Sequence, residues 1–357
     1  MEKMSIEPGL FEIAIDDYHR DPCPEPSLNA SLIPWLLQCP AKARARHPKL
    51  STGFRSDESR RMDLGSVAHK LLLGRGRDVK VIDANDYRTK AAQEARDTAR
   101  AAGVIPVLVS DLSTAEAMHT ACIKQLADFD LGDVFEGGKA ELALLWKDIA
   151  GCWGRSLIDY LRDNVPSWEV WDYKTTERSV RPEDAAMGAF IVDQGYDTQL
   201  AMQERGLCTL FPNLAGRLKF RLLFQETEEP YLISVVEPDE ATMAIARRKV
   251  NYALNSWAWC LRDEYFPGYT TGVVKTEHAG YLADRWIKRE VEEEADSENE
   301  PLPELGPAKR GPGRPLGSKN VPKKRLMFEL RQRRAEERQK EREKLELPPG
   351  QNPLEGG

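Results

Sequence analysis

Cysteine is sparse and unpatterned in this chain of 357 residues. The six thiols, Cys23, Cys39, Cys122, Cys152, Cys208 and Cys260, are scattered with no C-x-x-C pair. That spacing excludes a zinc knuckle, an iron–sulfur cradle and a disulfide framework, and leaves free thiols in a reducing compartment. No apolar run is long enough to span a bilayer, and no basic-then-apolar stretch opens the chain. The expectation is a cytoplasmic protein without a membrane partner. The motifs of serine and cysteine hydrolases are missing as well. With a net charge of −7 there is no overall attraction to nucleic acid.

What the chain does have is enough apolar residue, 41%, to build a sizeable core, and a charged fraction of 31% that is unevenly placed. Residues 1–26 are rich in proline and aspartate, without a sustained period, and read as a flexible arm. From Leu28 the string NASLIPWLLQCPAKARARHP reads as one short helix, capped by Asn29 or Ser31 and stopped before Pro48. Lys42, Arg44 and Arg46 at its end suit a helix C-terminus and would equally suit a phosphate backbone. A second helix runs through SRRMDLGSVAHKLLLG, with His69 one turn after Gly65, which leaves space around the imidazole, and Gly74 as its stop. In STAEAMHTACIKQLADF, Ser113 and Glu116 form a capping box. GKAELALLWKDIA reads as a strand whose Glu141 stands among apolar neighbours, where an unpaired carboxylate is costly. Further on come a helix carrying Tyr196, Gln199 and Gln203, two strands, and a long helix with Met243, Ala246, Val250, Ala253, Trp257 and Leu261 as its apolar stripe. Beyond Lys288 the composition turns acidic and then basic. Residues 289–306 read as a disordered acidic linker, 307–325 as a basic segment, and 326–357 as a charged helix and tail.

The centre of the chain is GRSLIDYLRDNVPSWEVWDYKTT, residues 154–176. Two apolar runs, each ending in an aspartate, are joined by a polar connector and can pair as a hairpin. A period of two puts Trp168, Val170, Asp172 and Lys174 on one face of the second strand. Pairing would bring Asp159 and Asp172 to one hard cation, with Lys174 beside it. A divalent metal would compensate such a charge cluster, and magnesium favours carboxylates, waters and a substrate phosphate.

These pieces together resemble the PD-(D/E)XK nuclease superfamily, and within it the RecE-like exonucleases of phages and prophages. The acid at a strand end is Asp159, and the acid–x–lysine of the next strand is Asp172 with Lys174. GSVAH supplies the upstream G-x-x-x-H, SLIPWLLQCP the N-terminal "S-x-L…CP" helix, and FPGY the aromatic-P-G-Y string. The likeness spans residues 27–270, and residues 27–288 are taken as the nuclease domain. It departs from the family in reading LID before the first acid, and in carrying Gln203 where the family's tyrosine follows the glutamine.

The resemblance implies an α/β fold, a restriction-endonuclease-like core with a central mixed β-sheet flanked by helices, followed by a charged tail that is disordered or helical. It implies a magnesium-dependent exodeoxyribonuclease, with manganese as an alternative ion, acting on duplex ends for recombination. Lys174, Asp172 and Asp159 would be catalytic. His69, Glu141, Asp159, Asp172 and the Tyr173 carbonyl would hold metal, Gln199 would position substrate, and Arg155 would contact DNA. A single-strand annealing protein and further copies of the chain are the implied partners. In the tail, Gly313, Arg314 and Pro315, flanked by Lys309, Arg310 and Lys319, resemble an AT-hook, whose arginine reads a narrow minor groove.

Overall fold

A computed structural model of the chain describes residues 6–51, 60–182, 185–270, 272–276 and 279–299. In chain order the first elements are β1 (Gly9–Phe11), α1 (Ile15–His19), α2 (Ile33–Gln38), α3 (Pro40–Arg46), α4 (Arg60–Leu73), β2 (Val79–Ile82), α5 (Lys90–Ala101) and β3 (Ile105–Leu108). There follow α6 (Val109–Asp128), β4 (Lys139–Lys147), β5 (Trp153–Arg162), β6 (Trp168–Thr176), α7 (Ala185–Asp193), α8 (Tyr196–Leu210), β7 (Leu218–Glu226), β8 (Ile233–Val236), α9 (Glu240–Arg262) and α10 (Gly280–Asn299).

Six strands form one mixed sheet in the order β1-β4-β5-β6-β7-β8, while β2 and β3 pair in parallel by themselves. Only β6 and β7 run parallel within the large sheet, because α7 and α8 carry the chain back across it between them. Residues rich in Trp, Val, Leu and Phe suit strands buried on both faces. On one face Leu144, Trp146, Val170, Leu222 and Phe224 pack with Leu200 of α8 and Val250 and Trp257 of α9. On the other, Tyr160, Trp171, Tyr173 and Leu223 pack with Ala68 of α4 and Met118 and Leu126 of α6. The period-two reading of β6 therefore holds, with Val170 on one side and Trp171 and Tyr173 on the other. The fold is the α/β class with a helix-flanked mixed sheet.

Four local expectations need correction. The N-terminal arm is tied down. β1 pairs antiparallel with β4, and Asp21 behind α1 is buried, accepting from Ser27 N at 2.9 Å and Ser27 Oγ at 2.8 Å. The single helix after Leu28 is broken at Cys39, whose φ of −170° and ψ of 116° are extended. Pro40 lacks an N–H and disfavours a helical conformation for the residue before it. Ser113 does not cap α6: the helix starts at Val109, and the Ser113 hydroxyl donates to the Val109 carbonyl at 3.1 Å. The acidic stretch from 289 continues α10 as far as Asn299 rather than forming a linker. By contacts the chain divides into two units, the first ending at Lys275; α10 is the described part of the second. The basic segment and the tail beyond it, including Lys309, Arg310, Gly313, Arg314, Pro315 and Lys319, lie outside the described residues.

Candidate active site at the β5–β6 opening

The hairpin of β5 and β6 pairs at Arg162–Glu169, Leu161–Val170 and Tyr160–Trp171 and then stops. The next position in that register sets Asp159 opposite Asp172. The ladder is replaced there by the acid itself: Asp159 Oδ2 accepts from the Tyr173 N–H at 3.0 Å. Because the N–H and C=O of one strand residue point to the same edge, the Tyr173 carbonyl faces this opening too.

The neighbouring ladder is interrupted at the same level. β4 and β5 pair at Ala140–Tyr160 and at Leu142–Ile158, and the pair between them, Glu141–Asp159, is missing. Glu141 has a φ of 52°, a left-handed conformation that costs an L-residue about 1–2 kcal/mol. Both strands change face there. Ala140 and Tyr160 pack on the α4–α6 side, whereas Leu142 and Ile158, two residues away, pack on the α8–α9 side. Three acids from three adjacent strands are thereby gathered where regular pairing fails.

Helices bring the remaining groups from both sides. On α4, His69 sets Nε2 at 3.1 Å from Asp159 Oδ2 and Nδ1 at 3.6 Å from Glu141 Oε1. Gly65, one turn earlier, is required by the approach of α4 to β6: a Cβ there would lie 2.9 Å from Thr175 Oγ1. From α8, Gln199 donates to Asp172 Oδ2, and the Tyr196 ring lies under the Lys174 ammonium at 5.4 Å. Lys174 pairs with Asp172 Oδ1. Behind them Gln225, fully buried, accepts from the Tyr173 hydroxyl and donates to the Met118 carbonyl at 2.8 Å, which fixes Tyr173 from the other face.

The charges shift one another strongly. Burial and the Asp159 charge push Asp172 up to about 6, against the pull of Lys174. Burial would also raise Asp159, yet His69 and Lys174 outweigh it and hold that carboxyl down at about 2. Burial works against the charge on Lys174 and on His69, but Asp172 and Asp159 raise the first, and Asp159 with Glu141 the second, above their ordinary values. Glu141 is raised, first by burial and then by Asp159, in spite of His69. The site is a cluster of three acids with two basic side chains, His69 and Lys174, set against them.

Sequence reasoning names most of this set. Gln199, expected to position substrate, donates to the carboxylate of Asp172. Arg155, expected on DNA, is 2% exposed. Its guanidinium donates to Ser27 Oγ at 2.7 Å and lies 3.6 Å from Asp21 Oδ2, inside the protein. Tyr196 reads from sequence only as a helix residue, although its place one turn before Gln199 puts both side chains on one face of α8. Gln203, in the family's tyrosine position, is buried and donates to the Leu157 carbonyl at 2.9 Å.

Among the described residues, no set of three or more His, Cys, Asp or Glu is arranged as a ready cation cage. The donor types nevertheless suit a hard divalent ion: three carboxylates, an imidazole and a strand carbonyl. Asp172 Oδ1 is buried and faces the Lys174 ammonium. A cation taken up at that oxygen would share it with Lys174 or replace that pairing.

Residues 29–278 match the family described as "PDDEXK-like domain of unknown function (DUF3799)", a match over more than half of the chain that contains every described site residue. No curated protein matches the chain significantly. Among solved structures, a protein of Eubacterium rectale provisionally named an exonuclease is similar at 11% identity and a TM-score of 0.48, over 75% of this chain and 97% of its own. An alkaline exonuclease of Laribacter hongkongensis is similar at 13% identity and a TM-score of 0.24, over 55% of this chain and 91% of its own. On the family match, the chain belongs to the PDDEXK-like family DUF3799, within the PD-(D/E)XK superfamily.

Proposed function

We propose that the chain is a divalent-metal-dependent deoxyribonuclease, an exonuclease that processes duplex DNA ends for recombination. One observation carries this reading: Glu141, Asp159 and Asp172 meet His69 and Lys174 at a place where two adjacent ladders of the sheet open together. A cluster of shifted acids and bases of that kind, set where a sheet opens, is the mark of a functional site.

Asp159 and Asp172, with Glu141, His69 and the Tyr173 carbonyl, would hold Mg²⁺ or Mn²⁺. Such an ion supplies Lewis acidity toward a phosphodiester and lowers the pKa of a bound water. Gln199 fixes the rotation of the Asp172 carboxylate, and the Tyr173 N–H fixes that of Asp159. Lys174 brings a positive charge to the edge of the cluster, and the Tyr196 ring lies under its ammonium. That charge can orient the attacking water or neutralise the phosphate as negative charge builds up on it.

The test is digestion of end-labelled linear DNA and of circular DNA, with and without Mg²⁺. Loss of label from linear DNA alone, and only with the ion, is the expected result. Lys174→Ala should lower the rate by about 10²–10³, the cost of removing one group that stabilises charge in the transition state. Digestion by that variant at the unmodified rate would refute the assignment. Cutting of the circle would replace the exonuclease with an endonuclease on the same site.

A further inference from the structure

The break between α2 and α3 organises a second surface. With the helix interrupted at Cys39, the Ala41 N–H has no partner in its own helix and donates to the Pro267 carbonyl at 3.2 Å. The Cys39 thiol approaches the same carbonyl at 3.5 Å. The loop that follows α9, FPGY, is thereby fastened against α3. Two strings that are far apart in sequence become one face.

That face combines rings and cations. Arg46 stacks on Trp35, with its guanidinium carbon 3.6 Å from the ring centre. The Lys42 ammonium lies 5.2 Å from the Tyr269 ring, and Arg44 lies 5.7 Å from that of Phe266. Trp35 is 36% exposed and Tyr269 is 70% exposed, so both rings offer area to solvent. Among the described residues no carboxylate pairs with Lys42, Arg44 or Arg46, although acids outnumber bases in the chain. The helix dipole accounts for Arg44 and Arg46, which lie in the last turn of α3. It does not account for two exposed rings held among the cations by a loop anchored against the helix.

We propose that this face binds single-stranded DNA, stacking bases on Trp35 and Tyr269 and taking phosphates on Lys42, Arg44 and Arg46. Phosphates seek unpaired cations, and any base presents a π-face to an anchored ring. A duplex keeps its bases stacked inside and offers this face only its backbone. The inference rests on the proposed nuclease reading for the choice of DNA over other polyanions, and is otherwise independent of it.

The experiment uses the full chain in EDTA, so that binding is read without cleavage. Fluorescein-labelled oligothymidine and a duplex of equal length are titrated with the unmodified protein and with Trp35→Ala, Tyr269→Ala and Trp35→Phe. Each alanine variant should bind the single strand about ten-fold more weakly and leave duplex affinity nearly unchanged. Loss of one stacked base is of that order. Trp35→Phe keeps a ring and should retain most of the affinity, which separates stacking from loss of fold. A strand carrying iododeoxyuridine should photocrosslink to peptides containing Trp35 or Tyr269.

Unchanged single-strand affinity in both alanine variants, or crosslinks confined to other peptides, would overturn the proposal. So would equal weakening of single strand and duplex, since that describes phosphate attraction without stacking. If the rings bind single strands but no DNA is digested with Mg²⁺, the nuclease reading fails and this one stands. If digestion occurs while the variants bind normally, only this one falls.

Discussion

Glu141 illustrates how a single residue can be read and misread at once. Its carboxyl among apolar neighbours marks it from sequence as a costly group, and His69 proves to be its partner. Nothing in GKAELALL announces a left-handed backbone, because that conformation arises from the way β4 and β5 change face together. The D-x-K alternation is legible because a period of two is local. The Asp159–Asp172 approach is legible because a short connector implies a hairpin. Tyr196 under Lys174 is not, since it depends on how α8 crosses the sheet. At this scale the sharpest test is Gln199→Ala. It removes the hydrogen bond that aligns one oxygen of Asp172 and leaves the acid in place. Activity should fall about 10–100-fold, the usual effect of losing a group that orients a ligand, and raising Mg²⁺ should recover part of it. Activity equal to that of the unmodified protein over the whole Mg²⁺ range would show that Gln199 has no such role. Gly65→Ala should also impair the site, by moving α4 off Thr175 and His69 away from Asp159. A melting temperature unchanged with reduced activity is the outcome that separates displacement from unfolding.

Among the elements, the N-terminal arm departs most from its reading. Proline and aspartate composition resembles that of a flexible leader, but Asp21 is the hub of a buried network. His47 lies 3.1 Å from it and Arg155 3.6 Å, and both the N–H and the hydroxyl of Ser27 donate to it. Composition could not show this, because its partners lie at positions 27, 47 and 155. Burial alone would raise the Asp21 carboxyl, but the bonds from His47 and Ser27 and the charge of Arg155 hold it below the ordinary carboxylate range. A depressed folded-state value means that the stabilisation is complete above the unfolded value near 4, and is lost as pH falls through the folded one. Asp21→Asn should cost about 3 kcal/mol at neutral pH, by leaving Arg155 buried beside a neutral amide. In urea titrations between pH 3 and pH 7 the gap between variant and unmodified chain should be constant down to about pH 4 and close below it. A gap that widens on acidification would contradict this network. The α2–α3 break is likewise present in the sequence as Cys39–Pro40, and is hidden there because the helical composition continues on both sides.

On the scale of the whole molecule, a net charge of −7 conceals opposed regions. Acids gather at the β5–β6 opening and along α10, and cations on α3 and in the segment from 307 to 325. The AT-hook-like string around Arg314 remains a proposal. Deleting residues 306–325 should weaken duplex binding at low salt and flatten its salt dependence. Every phosphate that the tail no longer neutralises takes about 0.9 from the slope of log K against log salt. Equal slopes for the two proteins would dismiss the tail as a DNA-binding segment. Assembly into a homo-oligomer and pairing with a single-strand annealing protein are proposals of the same kind, and light scattering with and without such a protein tests both. No helix among the described residues is long and apolar enough to cross a membrane.

Two of the acids at the sheet opening have a basic side chain of the chain beside them, His69 at Asp159 and Lys174 at Asp172. Part of the counter-charge is thus built into the fold. A chelator should leave the melting curve almost where it was, in contrast to domains that collapse when their zinc is stripped. On the proposed nuclease reading, the protein in chelator would be a stable reagent that holds DNA intact until the ion is supplied.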